Sequence, residues 1–306
     1  MKVKSANYIL IYVCVLFLLL ANLLSIALGQ NSTLTIDDLK IPPEGVTQIL
    51  TLQDGSTIIG RITEVGLTEI KFQADMGELT IHISKIKNIK DIPAESMVKG
   101  KYWFPNPNAT RLYFAPTGRM LKKHEGYFSD IYVFFPGFSV GLSDKITFGG
   151  GMSIFPGIGL DNQVFYLTPK ISLKASPRSN WALGALILKL PEVSNDEDNT
   201  PLIGAFYGVG TLGKPDASVT FGLGYGFVDD ELSDKPMVML GGEKRLGRRI
   251  SFVSENWVIP GADQPIISYG LRFFGEGLSI DLALLSPLGE DFIFPGIPYI
   301  DFVFNF

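Results

Sequence analysis

Pro298–Phe306 reads PYIDFVFNF. In an extended strand successive side chains point to opposite faces, so Ile300, Phe302, Phe304 and Phe306 share one face and Asp301, Val303 and Asn305 share the other. The last residues of a soluble domain are usually polar and frayed. Here every second side chain is large and apolar, and that face needs an apolar neighbour.

The same period recurs upstream. In IISYGLRFF, Ile267, Tyr269, Leu271 and Phe273 oppose Ser268, Gly270 and Arg272. In LSIDLALL, Leu278, Ile280, Leu282 and Leu284 oppose Ser279, Asp281 and Ala283, and VTFGLGYGF sets Val219, Phe221, Leu223, Tyr225 and Phe227 against threonine and glycine. One greasy face and one small or polar face is the pattern of a half-buried sheet. In a soluble sandwich the greasy face meets a second sheet, whereas in a transmembrane barrel it meets lipid and the other face lines the interior.

Three features favour the membrane. The small faces are rich in glycine and poor in charge, in a chain with 33 glycines, 22 phenylalanines and only 19% charged residues. Aromatic residues (Tyr113, Phe114, Trp181, Trp257, Phe294, Tyr299) sit near segment ends, where interfacial girdles are expected. The connections also alternate. Strands are predicted to begin near Thr110, Gly126, Lys145, Gln163, Asn180, Leu202, Ala217, Lys235, Arg249, Pro265, Gly277 and Ile297. Tight turns (LSDK, ASPRSN, LGKPDA, LGR, GEG) then alternate with longer joins such as TGRMLKKHE, PEVSNDEDNTP and PLGEDFIFPG. Short turns on one rim and longer loops on the other are the habit of outer-membrane barrels. The competing fold is a wholly soluble two-domain β protein.

Region 110–306 resembles the outer-membrane β-barrel proteins of double-membraned bacteria, whose last strand alternates apolar residues and ends on an aromatic one. The resemblance implies that Ile300, Phe302, Phe304 and Phe306 form the signal read by the barrel-assembly machinery, with outer-membrane lipids as neighbours. YWFPNPNATRLYFAPTG also resembles the start of the barrel in uncharacterised outer-membrane proteins of Bacteroidetes-type bacteria.

The N-terminal end fits export. Lys2 and Lys4 precede the apolar run YILIYVCVLFLLLANLLSIAL, then small residues at Ala27 and Gly29, which is the layout of a signal peptide over 1–29. An uncleaved membrane anchor is the competing reading. Loss of this segment removes the only cysteine, Cys14, and moves the formal charge from −5 to −7. Thiol chemistry and disulfide scaffolds are then excluded, and an acidic exported chain is a poor binder of nucleic acid.

After a linker at 30–45, residues 46–91 read as four or five short strands with turns at Asp54-Gly55 and Asp75-Met76-Gly77. Leu52, Asp54-Gly55, Gly60-Arg61-Ile62 and an apolar ending at Ile86 and Ile89 resemble the Sm-like/SH3-like small β-barrels. The loops VGLTEIKF and HISKIKNI lack the RNA-binding pattern of Sm-like proteins, so an interaction or spacer module is expected. A second linker spans 92–109. The expected fold is all-β: an antiparallel transmembrane barrel of about 12 strands behind a small SH3-like/Sm-like domain, the domain lying in the periplasm and meeting a protein partner there.

Little in the sequence reads as catalysis. His82 falls within a strand and His124 in a predicted outer loop without a motif-matched serine, so the Ser–His pair of twelve-stranded phospholipases has no counterpart. GVGTLG (Gly208–Gly213) matches a dinucleotide motif literally, but a turn and another strand follow where a helix is required. No enzyme activity, cofactor or metal is expected. Acidic outer loops gather Glu192, Asp196, Glu197 and Asp198, then Asp229, Asp230, Glu231 and Asp234. Clustered carboxylates suit hard divalent cations, yet no EF-hand spacing appears and solvated loops are the ordinary case.

Charges are costly on a lipid face, so Lys170, Lys174, Arg272 and Asp281 are expected to face the lumen, with Glu243 and Glu255 less firmly placed. Two functions follow. A continuous polar path would make a pore for small solutes. Lumenal ion pairs or an inserted segment would make a closed barrel that anchors the small domain.

Overall fold

The computed structural model describes residues 36–92, 96–98, 101–191, 201–289 and 295–306. The expected signal peptide, Phe294 and the acidic residues Glu192, Asp196, Glu197 and Asp198 lie outside them. The chain divides between Pro105 and Asn106 into two compact units, four residues before the boundary expected at 110.

The main sheet of the first unit has five strands: β1 (Thr47–Leu52), β2 (Thr57–Val65), β3 (Glu69–Ala74), β4 (Gly77–His82) and β5 (Ile86–Ile92). They form an antiparallel sheet in the order β4-β3-β2-β1-β5. The alternation in EIKFQA turns Ile70, Phe72 and Ala74 inward, where they join Leu50, Ile62, Ile81 and Ile86 in one core. Gly55 takes φ +85° in the first hairpin, and the Asp54 carboxylate accepts from the Ser56 amide and hydroxyl at 2.8 and 2.6 Å. A 3-10 turn, Ile83–Lys85, leads from β4 into β5, which returns beside β1.

The second unit is a closed barrel of twelve strands among the described residues. They are β6 (Gly126–Ile131), β7 (Phe135–Ser143), β8 (Ile146–Met152), β9 (in two pieces, Phe165–Leu167 and Lys170–Lys174), β10 (Ser179–Lys189) and β11 (Leu202–Lys214). The rest are β12 (Ala217–Val228), β13 (Met237–Gly247), β14 (Ile250–Val258), β15 (Ile266–Phe274), β16 (Leu278–Pro287) and β17 (Ile297–Asn305). Each pairs antiparallel with its neighbours in sequence, and β17 pairs with β6, so the barrel wall has no free edge.

Along β17, Tyr299, Asp301 and Val303 are buried, while Phe304 and Phe306 are exposed and Ile300 and Phe302 share their outer face. The same split holds on β12, where Thr220 is buried and Val219, Phe221 and Leu223 are exposed. Large exposed side chains such as Leu183, Phe206, Leu240, Phe252 and Leu282 continue this outer face around the wall. An exposed apolar surface of that extent belongs against lipid.

The count of twelve hides two compensating errors of reading. No strand begins near Thr110, because Asn106–Leu121 lies inside the barrel instead of in its wall. The segment from Gly126 is two strands, joined by a tight turn at Tyr132-Val133 that replaces the long first loop expected from TGRMLKKHE. Both turn residues take positive φ, 56° and 66°, and the Phe134 amide donates to the Ile131 carbonyl at 3.2 Å. That is the geometry of a primed hairpin turn, which favours Asn-Gly and strains a tyrosine and a β-branched valine. The Tyr132 hydroxyl, donating to the Pro298 carbonyl at 2.7 Å, helps to hold it.

His124 consequently leaves the outer loops. Its amide donates to the Gly141 carbonyl, and the next residues enter β6 beside Phe306, on the rim of short turns. The aromatic girdle also loses members, since Tyr113 and Tyr299 are buried in the barrel core and Trp257 packs against it.

Candidate functional site

Charged residues gather in the lumen, around a hairpin that the chain inserts there. Asn106–Leu121 rises from the rim of short turns, reverses at Tyr113-Phe114 and descends. The Arg111–Pro116 bridge, Leu112 N–H donating to the Ala115 carbonyl at 2.8 Å and Thr117 N–H donating to the Thr110 carbonyl at 2.9 Å hold its two limbs together. At entry the Asn106 side-chain Nδ2 donates to Glu243 Oε1 at 2.7 Å, and at exit the Lys123 backbone amide donates to Asp144 Oδ1 at 2.9 Å. Gly118 makes the fit possible, because a Cβ there would stand 2.1 Å from the Asn180 carbonyl oxygen.

Wall residues grip the hairpin mostly by its backbone. Arg272 on β15 is fully buried and sits directly opposite Asp281 on β16. Its Nε and Nη2 donate to the two Asp281 carboxylate oxygens at 2.7 and 2.9 Å, the planar fork-to-fork pairing that suits arginine. Nη1 reaches Glu243 Oε2 at 2.9 Å and the Asn108 carbonyl at 3.1 Å, and Nη2 reaches the Leu112 carbonyl at 2.6 Å. A guanidinium removed from water requires such a complete set of acceptors.

Glu255 on β14 does the converse. Its Oε2 accepts the amides of Tyr113, Phe114 and Ala115 at 2.8, 3.0 and 2.9 Å, and its Oε1 accepts Trp257 Nε1–H at 2.7 Å. Lys170 on β9 donates from Nζ to the carbonyls of Thr110, Thr117 and Arg119 at 3.3, 3.1 and 2.7 Å, which uses all three ammonium hydrogens. Arg111 on the hairpin pairs with Asp301 on β17, and its guanidinium lies 5.5 Å from the Tyr127 ring centroid. Arg119 ties the descending limb to the Gly213 carbonyl at 3.0 Å.

Lys170, Arg272 and Asp281 therefore meet at the hairpin, and Glu243 and Glu255 join them. Lys174 does not. The ladder to β10 shifts register between Ser172 and Lys174, so Lys174 pairs with the outward Trp181 and is exposed. The hairpin itself and the pairing of Arg111 with Asp301 were missed by sequence reasoning. A signal was present: Pro107, Pro116 and Gly118 crowd a stretch that a mid-sheet strand would not accept. Asp229, Asp230, Glu231 and Asp234 are exposed, and Asp229 Oδ1 accepts the Leu202 amide at 2.9 Å, a loop-closing contact. Among the described residues no three His, Cys, Asp or Glu side chains are placed to hold a metal ion.

Beyond the tip, towards the longer connections, the lumen is not filled. A cavity of about 420 Å³ lies there and extends down beside the hairpin, lined by Arg111, Tyr113, Phe114 and Pro116 of the hairpin and by residues of β6 to β14.

No protein-family model matches the chain, and no curated protein matches its sequence. Solved structures similar to it include a loop-deletion mutant of OmpT, an outer membrane protein of Vibrio cholerae, at 11% identity and TM-score 0.32, covering 85% of this chain and 96% of that one. A mutant of the Rh. blastica porin is similar at 12% identity and TM-score 0.32, covering 85% and 98%. The closed barrel and its apolar outer face fit an outer-membrane location.

Proposed function

We propose that this chain is an outer-membrane barrel held closed by its own Asn106–Leu121 hairpin, and that it anchors the N-terminal five-stranded unit in the periplasm. The observation that carries this reading is the hydrogen-bond set of Arg272, whose acceptors come from the wall and from the hairpin backbone together. A solute path through that level of the lumen would have to break several charge-assisted bonds at once. An open pore, the other function expected from sequence, has no such need for an inserted segment.

In this reading the five-stranded unit is an SH3-like/Sm-like module that meets an envelope protein. Its order, with β5 returning to β1 after a 3-10 turn, supports that likeness. The hairpin enters and leaves at the rim of short turns, which supports a periplasmic position for the residues before it. The outward row Ile300, Phe302, Phe304 and Phe306 serves as the assembly signal.

The test is single-channel recording of the refolded chain in a planar bilayer, with folding verified by its heat-dependent gel shift. Electrical silence is expected. Reproducible conductance steps from the native chain would establish an open pore instead.

A further inference from the structure

The cavity at the hairpin tip has an apolar lining with hydroxyls set into it on several strands. On one side, β10, β11 and β13 contribute Leu186, Leu188, Ala205, Val209, Met237 and Met239. On the other, strands β6 to β9 contribute the hydroxyls of Tyr127, Ser129, Ser139, Thr147, Tyr166 and Thr168, interspersed with Ile131 and Phe135, and Tyr207 adds a hydroxyl on the first side. Its volume of about 420 Å³ lies within the ordinary range of small-molecule sites.

The hydroxyls are the second observation. Those of Tyr127, Tyr166 and Tyr207 make no hydrogen bond with any described residue. All three belong to residues that line the cavity, so their hydroxyls are available to an occupant. Two of these rings are fixed by the wall. A Cβ on Gly137 or Gly151 would come 2.0 or 2.4 Å from the Tyr166 hydroxyl, and one on Gly184 would come 2.3 Å from that of Tyr207. The bare glycines leave room for both hydroxyls against the wall.

We propose that this cavity binds one small molecule with an apolar body that carries several hydroxyl or carboxyl oxygens. A simple hydrocarbon would leave the tyrosine hydroxyls without partners. A sugar would place polar groups against the methionine and leucine wall. The inference rests on the closed-barrel reading in one respect, since the hairpin lines part of the site.

Equilibrium dialysis of the full chain in lipid nanodiscs against radiolabelled cholate tests it, with empty nanodiscs as the blank and decanoate as an end-headed comparison. Saturable uptake of one cholate per barrel is expected, tighter than decanoate. Ala205→Phe, which fills the cavity away from the hairpin, should weaken cholate about tenfold. Tyr166→Phe removes one hydroxyl that no described residue uses, and should weaken it about threefold to tenfold while leaving the gel shift unchanged. Uptake no greater than the blank, or uptake that neither variant changes, would overturn the proposal. Bilayer recording of the same preparation separates the two readings. A conducting chain that still binds cholate in this way overturns closure and upholds the site, whereas a silent chain that does not bind overturns the site alone.

Discussion

Lys170 and Glu255 hold one hairpin by opposite halves of its peptide groups: Lys170 takes three carbonyls and Glu255 takes three amides. Neither depends on which side chains the hairpin carries, so the grip is on shape. Charged groups bonded to backbone in a water-poor interior are worth about 1.5–3 kcal/mol per bond. Glu255→Gln keeps the volume but replaces an acceptor-only group with one that also carries donors. It should raise the exchange rate of the Tyr113–Ala115 amides at least tenfold in hydrogen-exchange mass spectrometry, and Lys170→Met should do the same around Thr117. The double variant should depart from additivity, because both residues act on one body.

Arg272 allows a sharper test. Removing one partner of a buried ion pair costs about 3–5 kcal/mol because the other charges remain. Arg272→Met should therefore lower the gel-shift transition of the refolded barrel strongly, stranding Asp281 and Glu243. Arg272→Lys keeps the charge but loses the fork, and should fall between. Arg272→Met combined with Asp281→Asn should recover part of the loss. No recovery would mean that the guanidinium acts through the hairpin carbonyls more than through Asp281.

The two lysines of β9 should separate cleanly. Lys174 is exposed beyond the register shift, so Lys174→Ala should change stability by no more than about 0.5 kcal/mol in either direction. A loss as large as that of Lys170→Met would place both side chains in the lumen and remove the shift.

The outer face distinguishes lipid from water. Leu282 points outward at mid-strand and is 45% exposed. On a soluble surface Leu282→Arg would be nearly neutral, but at mid-bilayer it should cost about 2–4 kcal/mol. Refolding into vesicles along a urea series reads the difference.

Much of the wall was legible because a half-buried strand writes its period directly: the faces of β12, β15, β16 and β17 follow from alternation alone. What failed was local. Tyr132-Val133 makes a primed turn without the residues that usually mark one, so β6 and β7 were read as a single strand. Arg111, Tyr113 and Ala115 alternate as a strand would, yet they belong to a hairpin that the wall encloses, and period two cannot distinguish the two settings. Lys174 was misplaced by a single extra residue, which inverts every face beyond it. Arg272 and Asp281 could be assigned to the interior but not to each other, since register is a property of the closed sheet.

The central claim is that Asn106–Leu121 is fixed inside the barrel, and hydrogen exchange of the full chain in detergent addresses it most directly. The amides of Leu112, Tyr113, Phe114, Ala115 and Thr117 all have acceptors in the lumen. They are predicted to exchange as slowly as those of the neighbouring strands β14 and β15. Exchange at unprotected rates in that segment, with the strands still protected, would contradict it.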